Sequence, residues 1–217
     1  MSKKAAVFDM DGTILNTLED LKDTLNYALQ QAGYGTHTLE EVRSYVGNGI
    51  RRMIECAVPE GTEAEECDRI QAIFMPYYQK HCADKTCAYP GITELLEKLQ
   101  AEGILTAVVS NKADSAVQEL VEEYFKGLFD VAVGEQAGIR KKPAPDMVEK
   151  ALDALGVKKE EAVYIGDSEV DMATAENSGL DRIIVAWGFR DKEFLKERGA
   201  ERIADDAKDV YSYFQEL

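Results

Sequence analysis

Apolar residues recur along this chain in two different rhythms. Ala5-Ala6-Val7-Phe8 is a short unbroken apolar run, the signature of a buried strand. From about Thr17 to Lys85 the period is helical, without strand alternation. Leu18, Leu21, Leu25, Leu29 and Ala32 make one stripe, Thr17 and Asp20 have capping-box spacing, and Gly33-Tyr34-Gly35 closes the helix. Another helix begins at Leu39-Glu40-Glu41-Val42. Val46-Gly47-Asn48-Gly49-Ile50 interrupts the pattern before Arg51, and a longer helix spans roughly 63–81.

From Tyr89 onward helix and strand alternate. Ile92, Leu95, Leu96 and Leu99 lie on one helical face, and Gly103 stops that helix. Ile104 to Val109 then reads as a buried parallel strand. The pattern continues with a helix carrying Val117, Leu120 and Val121, a short strand near 129–133 and a helix over about 144–155. A strand at 162–165, a helix after Asp167, a strand at 182–186 and a final helix after Ala207 complete it. Alternating βα units predict a parallel sheet covered by helices on both faces. The fold expected is therefore α/β: a Rossmann-like three-layer core, residues 1–15 and 86–217, with an all-helical cap domain, residues 16–85, inserted after the first strand.

Composition narrows the function. Across 217 residues, 25 basic and 41 acidic side chains give a formal charge of −16, which disfavours nucleic acid or an anionic membrane as partner. The four cysteines, Cys56, Cys67, Cys82 and Cys87, show no metal-binding spacing, and reduced thiols are expected. The opening Met1-Ser2-Lys3-Lys4 leads into a strand too short for a signal or a spanning segment, so a cytoplasmic protein, monomer or homodimer, is expected.

The chemistry gathers where strands end. Asp9 and Asp11 follow the first strand, and in open α/β sheets ligands bind beyond the carboxyl ends of the strands. Ser110-Asn111 follows Val108-Val109, Lys142 precedes Pro143, and Asp167 and Asp171 follow Ile165-Gly166. Carboxylates at ~4 Å and an effective dielectric of ~20 repel by about 4 kcal/mol per pair. A divalent cation relieves this, and Mg²⁺ suits oxygen ligands and a shared phosphate. Asp9, first past its strand, is the candidate nucleophile; a carboxylate is already ionised at neutral pH and needs no base. Asp11 is the candidate general acid and then base. The expected metal ligands are Asp9, the Asp11 main-chain carbonyl and Asp167. Asp171 reads as a water-mediated ligand, a brace for the lysine, or an acid favoured by its helix terminus. Ser110 and the N–H of Asn111 offer phosphate contacts, although a serine there can equally cap a helix. Thr13 can hold Asp11 through its hydroxyl. Gly47-Asn48-Gly49 and Arg51 offer N–H groups and charge to a small anion from the cap.

In order and spacing, Asp9-Met10-Asp11-Gly12-Thr13, Val108-Val109-Ser110-Asn111, Lys141-Lys142-Pro143 and Ile165-Gly166-Asp167-Ser168-Glu169-Val170-Asp171 resemble the haloacid dehalogenase superfamily of aspartate-nucleophile phosphotransferases, over nearly the whole chain. Within it the chain looks most like the phosphoglycolate phosphatase branch. The resemblance implies a helical cap at this insertion point, Asp9 as nucleophile and Lys142 rather than Lys141 as the phosphate-neutralising lysine. It also implies hydrolysis, since mutases of the family usually carry an apolar residue at the place of Thr13. Trp187-Gly188-Phe189-Arg190 resembles a loop of the same branch. Asn16 departs from the aspartate common there. The expectation is a Mg²⁺-dependent phosphatase for a small phosphorylated metabolite, with 2-phosphoglycolate first. Inorganic pyrophosphatase, sugar-phosphate phosphatase or phosphomutase, and a non-enzymatic binding module stand as alternatives.

Overall fold

The computed structural model describes residues 3–47 and 49–217, so Asn48 of the candidate substrate loop lies outside the described residues. Two compact units emerge: Met1–Leu15 with Ala88–Leu217, and Asn16–Cys87.

The first unit is built on a six-stranded sheet of β1 (Ala5–Phe8), β4 (Leu105–Ala113), β5 (Val131–Glu135), β6 (Ala162–Gly166), β7 (Asp181–Val185) and β8 (Ile203–Ala204), ordered β5-β4-β1-β6-β7-β8. Every pairing is parallel. The helices are α5 (Ile92–Ala101), α6 (Asp114–Tyr124), α7 (Asp146–Leu155), α8 (Glu169–Ser178), α9 (Lys192–Glu197) and α10 (Ala207–Glu216). Ala5, Val7, Ala107, Val109, Ala162 and Tyr164 pack on one side with Met147, Val148 and Ala151 of α7 and Ala175 of α8. Their alternate neighbours, Ala6, Phe8, Val108, Val163 and Ile165, face the other way and are equally buried. Burial on both faces explains why these strands read as continuous apolar runs.

Strand order decides where a ligand can sit. The chain winds outward from β1 through β4 to β5, then returns to lay β6, β7 and β8 on the opposite side of β1. The winding reverses at β1, which opens a crevice at its carboxyl end. Phe8 pairs in register with Val108 and Ile165, so Asp9, the Ser110 segment and Asp167 follow at one level.

The second unit holds α1 (Leu18–Ala32), α2 (Leu39–Tyr45), α3 (Gly49–Ala57) and α4 (Ala64–His81), packed through buried Leu25, Leu29, Val42, Ile54, Ile70 and Phe74. The chain passes between units through β2 (Leu15–Asn16) and β3 (Cys87–Ala88), which pair as a two-stranded sheet. No described helix is long and apolar enough to cross a membrane, and none of the four cysteines is joined in a disulfide.

Several local expectations need correction. Thr17 makes no side-chain cap; Asp20 instead accepts Lys85 N, Thr86 N and Thr86 Oγ1, tying the start of α1 to the end of its own unit. Capping boxes do open two of the α-helices, at Thr38–Glu41 and Ser168–Asp171. Strand β4 does not stop before Ser110 but runs to Ala113, with its register shifting between Val109 and Ala113. The short elements α9 and β8 were not anticipated, because six and two residues carry too little periodicity to register.

Candidate active site

Four segments meet at the end of β1. Asp9 is fixed by its own backbone, whose N–H donates to Ile165 O at 2.8 Å across to β6. Its Oδ1 accepts Met10 N at 2.7 Å and pairs with Lys142 Nζ at 2.6 Å. Oδ2 has no donor among the described residues. The lysine also pairs with Asp171 Oδ1 at 2.9 Å and donates to Tyr164 OH at 3.3 Å. Its own backbone is pinned by Asn111: Lys142 N donates to Asn111 Oδ1 at 2.8 Å, and Asn111 Nδ2 donates to Lys142 O at 3.2 Å. The Asn111 side chain thus places the lysine; phosphate contact from this residue is left to its N–H.

Asp171 is saturated. Oδ1 accepts Lys142 Nζ and Tyr164 OH, and Oδ2 accepts Ser168 Oγ, Ser168 N and Asp167 N. Of the three sequence readings, this favours bracing the lysine, and it also makes Asp171 part of the box that starts α8. Asp167 sits under close backbone. Its Oδ2 accepts Phe189 N at 2.6 Å. A Cβ on Gly12, at φ +91°, or on Gly188 would come within 2.4 Å of this same Oδ2. Glycine is required at both positions by that approach.

Charge and burial act together here. Burial, then Asp171, push the Asp9 carboxyl from an ordinary 3.8 up to about 7, against the opposing pull of Lys142. Burial, with Asp171 and Asp9, also pushes Asp167 well up. Burial would raise Asp171 too, but Lys142, Ser168 and Tyr164 outweigh it and hold this carboxyl below its usual range. Burial opposes the charge on Lys142, yet Asp171 and Asp9 hold its ammonium well above the ordinary lysine range. Asp9, Asp167 and Asp171 each offer an oxygen within 4.8 Å of the others. Two reluctant carboxyls in an all-oxygen cluster fit a hard divalent cation, with Asp9 and Asp167 the members still able to ligate it.

Asp11 behaves differently from expectation. Thr13 does not hold it: Thr13 Oγ1 is buried with no hydrogen-bond partner. The Asp11 carboxylate turns instead to Lys112 Nζ at 3.1 Å and Ser110 Oγ at 3.4 Å. Sequence reasoning missed Lys112 and Tyr164. Each had a signal: Lys112 follows Ser110 by two residues, and Tyr164 is a polar-tipped ring within an apolar strand. The loop after β7 also joins the site, with Trp187 Nε1 donating to Thr13 O at 3.0 Å and Arg190 clasping Glu169.

A family model for haloacid dehalogenase-like hydrolases matches residues 6–185. The chain belongs to the haloacid dehalogenase-like hydrolases. A phosphoglycolate phosphatase of Cereibacter sphaeroides is 33% identical over 85% of each chain, and one of Psychrobacter arcticus is 29% identical over 98% of this chain and 96% of its own. A solved structure from Lactobacillus delbrueckii subsp. bulgaricus, described as a candidate phosphoglycolate phosphatase, is 43% identical with a TM-score of 0.96 over the whole of both chains. Within the haloacid dehalogenase-like hydrolases, this chain is an enzyme of the phosphatase kind.

In the helical unit, Gly47 and Gly49 both have positive φ at the junction of α2 and α3. Arg51 is already engaged inside that unit, by Glu55, by Asp68 and by the carbonyl of Ala64. Its charge is countered where it stands.

Proposed function

We propose that this enzyme hydrolyses a small phosphate monoester, 2-phosphoglycolate first among candidates, by forming and then hydrolysing an aspartyl-phosphate, an acyl phosphate, on Asp9. One observation carries the reading. Asp9 Oδ1 is held by Lys142 Nζ and Met10 N at the switch point of the sheet, and its other oxygen is left for phosphorus. The Lys142 ammonium, braced by Asp171 and Tyr164, offsets charge on the phosphoryl group. Ser110 and the Asn111 N–H orient its oxygens. Asp11 protonates the leaving oxygen and afterwards takes a proton from water.

Asp9, Asp167 and the Asp11 main-chain carbonyl would hold Mg²⁺. When bound, the ion screens the carboxylates from one another and from the phosphate. Asp171 then serves as brace rather than ligand. The helical unit is the cap and selects the substrate, with the Gly47 to Gly49 segment the first place to alter; Arg51 is the weaker candidate because of its internal partners.

Phosphate release from phosphoglycolate, sugar phosphates, nucleotides and pyrophosphate, with Mg²⁺ and with EDTA, tests this. Turnover of a phosphate monoester that EDTA abolishes, and that Asp9→Asn lowers by at least a thousandfold, is expected. Full activity in Asp9→Asn would remove the covalent route. Release from pyrophosphate alone, or isomerisation of glucose 1-phosphate without free phosphate, would overturn the substrate class.

A further inference from the structure

Lys112 is a buried cation that the reaction as described leaves without a task. Its side chain is 5% exposed, and its ammonium lies 3.1 Å from Asp11 Oδ1. Its backbone N–H donates to Ser110 Oγ at 3.1 Å. That hydroxyl lone pair is therefore occupied, and the one Ser110 hydrogen is directed outward to Asp11 Oδ2 at 3.4 Å, long for a bond between oxygens. Both contacts originate in the irregular stretch of β4 between Val109 and Ala113. Residues 110 and 112, two apart in one strand, aim at the same carboxylate.

The arrangement conflicts with turnover in two ways. Ser110 is needed by the phosphate, and Asp11 is needed at the leaving oxygen. An acid clasped by an ammonium and a hydroxyl does neither job. Charge supplies the resolution. The cations paired with this group of acids, Asp9, Asp11, Asp167 and Asp171, include Lys112 and Lys142. Lys142 is shared between Asp9 and Asp171. An arriving phosphate dianion competes with Asp11 for Lys112 and for Ser110. The Thr13 hydroxyl, buried and without an acceptor two residues along the chain from Asp11, is a waiting donor for a carboxylate that turns away from Lys112.

We propose that Lys112 is a second phosphate-binding cation of this site. It rests on Asp11 in the empty enzyme and passes, together with the Ser110 hydroxyl, to the phosphoryl oxygens when substrate enters, which leaves Asp11 free to turn to the leaving oxygen. The proposal rests on the phosphatase reading above and adds a residue that contacts substrate.

Lys112→Met and Lys112→Arg test it, read by the Kd of orthophosphate and of Mg²⁺ from calorimetry, by KM and by Tm. Lys112→Met is expected to raise the orthophosphate Kd and KM at least tenfold, with Mg²⁺ binding equal or tighter because a cation beside the acids is gone. Lys112→Arg is expected to recover most of the phosphate affinity. The opposite signs for anion and cation are what a merely structural lysine would not produce. Unchanged orthophosphate affinity in Lys112→Met overturns the proposal. Joint loss of phosphate and Mg²⁺ affinity with a lowered Tm overturns it too, as does an Arg variant that folds but recovers nothing. If Lys112→Met does not fold, the Arg variant decides alone: orthophosphate affinity within threefold of the parent supports the proposal, and a larger loss overturns it. A parent enzyme that releases phosphate from no ester defeats the underlying reading instead.

Discussion

Replacing Asp9 with asparagine should make the metal-free protein more stable while ending its activity. The Asp9 carboxyl moves from an ordinary 3.8 to about 7 in the fold, chiefly through burial and then through Asp171. At about 1.4 kcal/mol per unit, ionising it within the fold costs about 4 kcal/mol at pH 8. The sign follows from linkage. A carboxyl whose folded value is raised favours the folded state below the unfolded value, and this advantage is lost as pH rises toward the folded value. The penalty therefore builds between about pH 4 and pH 7, with about 3 kcal/mol of it appearing between pH 5 and pH 8. The asparagine side chain would carry no charge, and Lys142 would keep Asp171 at 2.9 Å, so no buried cation is orphaned by the change. Urea unfolding of both proteins in EDTA at pH 5 and pH 8 measures the difference. The variant should be the more stable at pH 8, by up to about 4 kcal/mol and by clearly more than at pH 5. Added Mg²⁺ should narrow the gap by stabilising the parent. A variant no more stable than the parent at pH 8, or a gap that does not widen with pH, refutes the assignment of strain to this buried carboxylate.

Other substitutions probe the supports of the site. Gly12→Ala places a Cβ 2.4 Å from Asp167 Oδ2 at φ +91°. It should cost about 1–3 kcal/mol in urea unfolding and weaken Mg²⁺ binding in a calorimetric titration; parental Mg²⁺ affinity would count against Asp167 as a ligand. Asn111→Ala removes both side-chain bonds to the Lys142 backbone, about 1 kcal/mol each. It should lower kcat/KM by about tenfold, measured on whichever ester the panel identifies, and parental kinetics would show that the lysine is held by other means.

The strand-end acids were legible because a charge terminating an apolar run has few structural explanations. Asp9 and Asp167 announce themselves in this way, and so does the order of the motifs around them. Contacts between segments far apart in sequence were not legible. That Asn111 pins Lys142, or that Phe189 N–H meets Asp167, depends on strand order and register, which place residues 31 and 22 positions apart within bonding distance. The surroundings of Thr13 and Arg51 were hidden for a related reason. A polar side chain takes the partner that the fold presents: Asp11 found Lys112 and Ser110 before Thr13, and Arg51 found Glu55 and Asp68.

The sequence by itself determined the longer elements, the parallel sheet and the kinds of chemistry available, since periodicity and charge at strand ends are local properties. Only the tertiary structure decided which lysine serves which carboxylate, and which acids are left reluctant to ionise. Those outcomes depend on burial and on distances of a few ångströms between separate strands, and no local pattern encodes them.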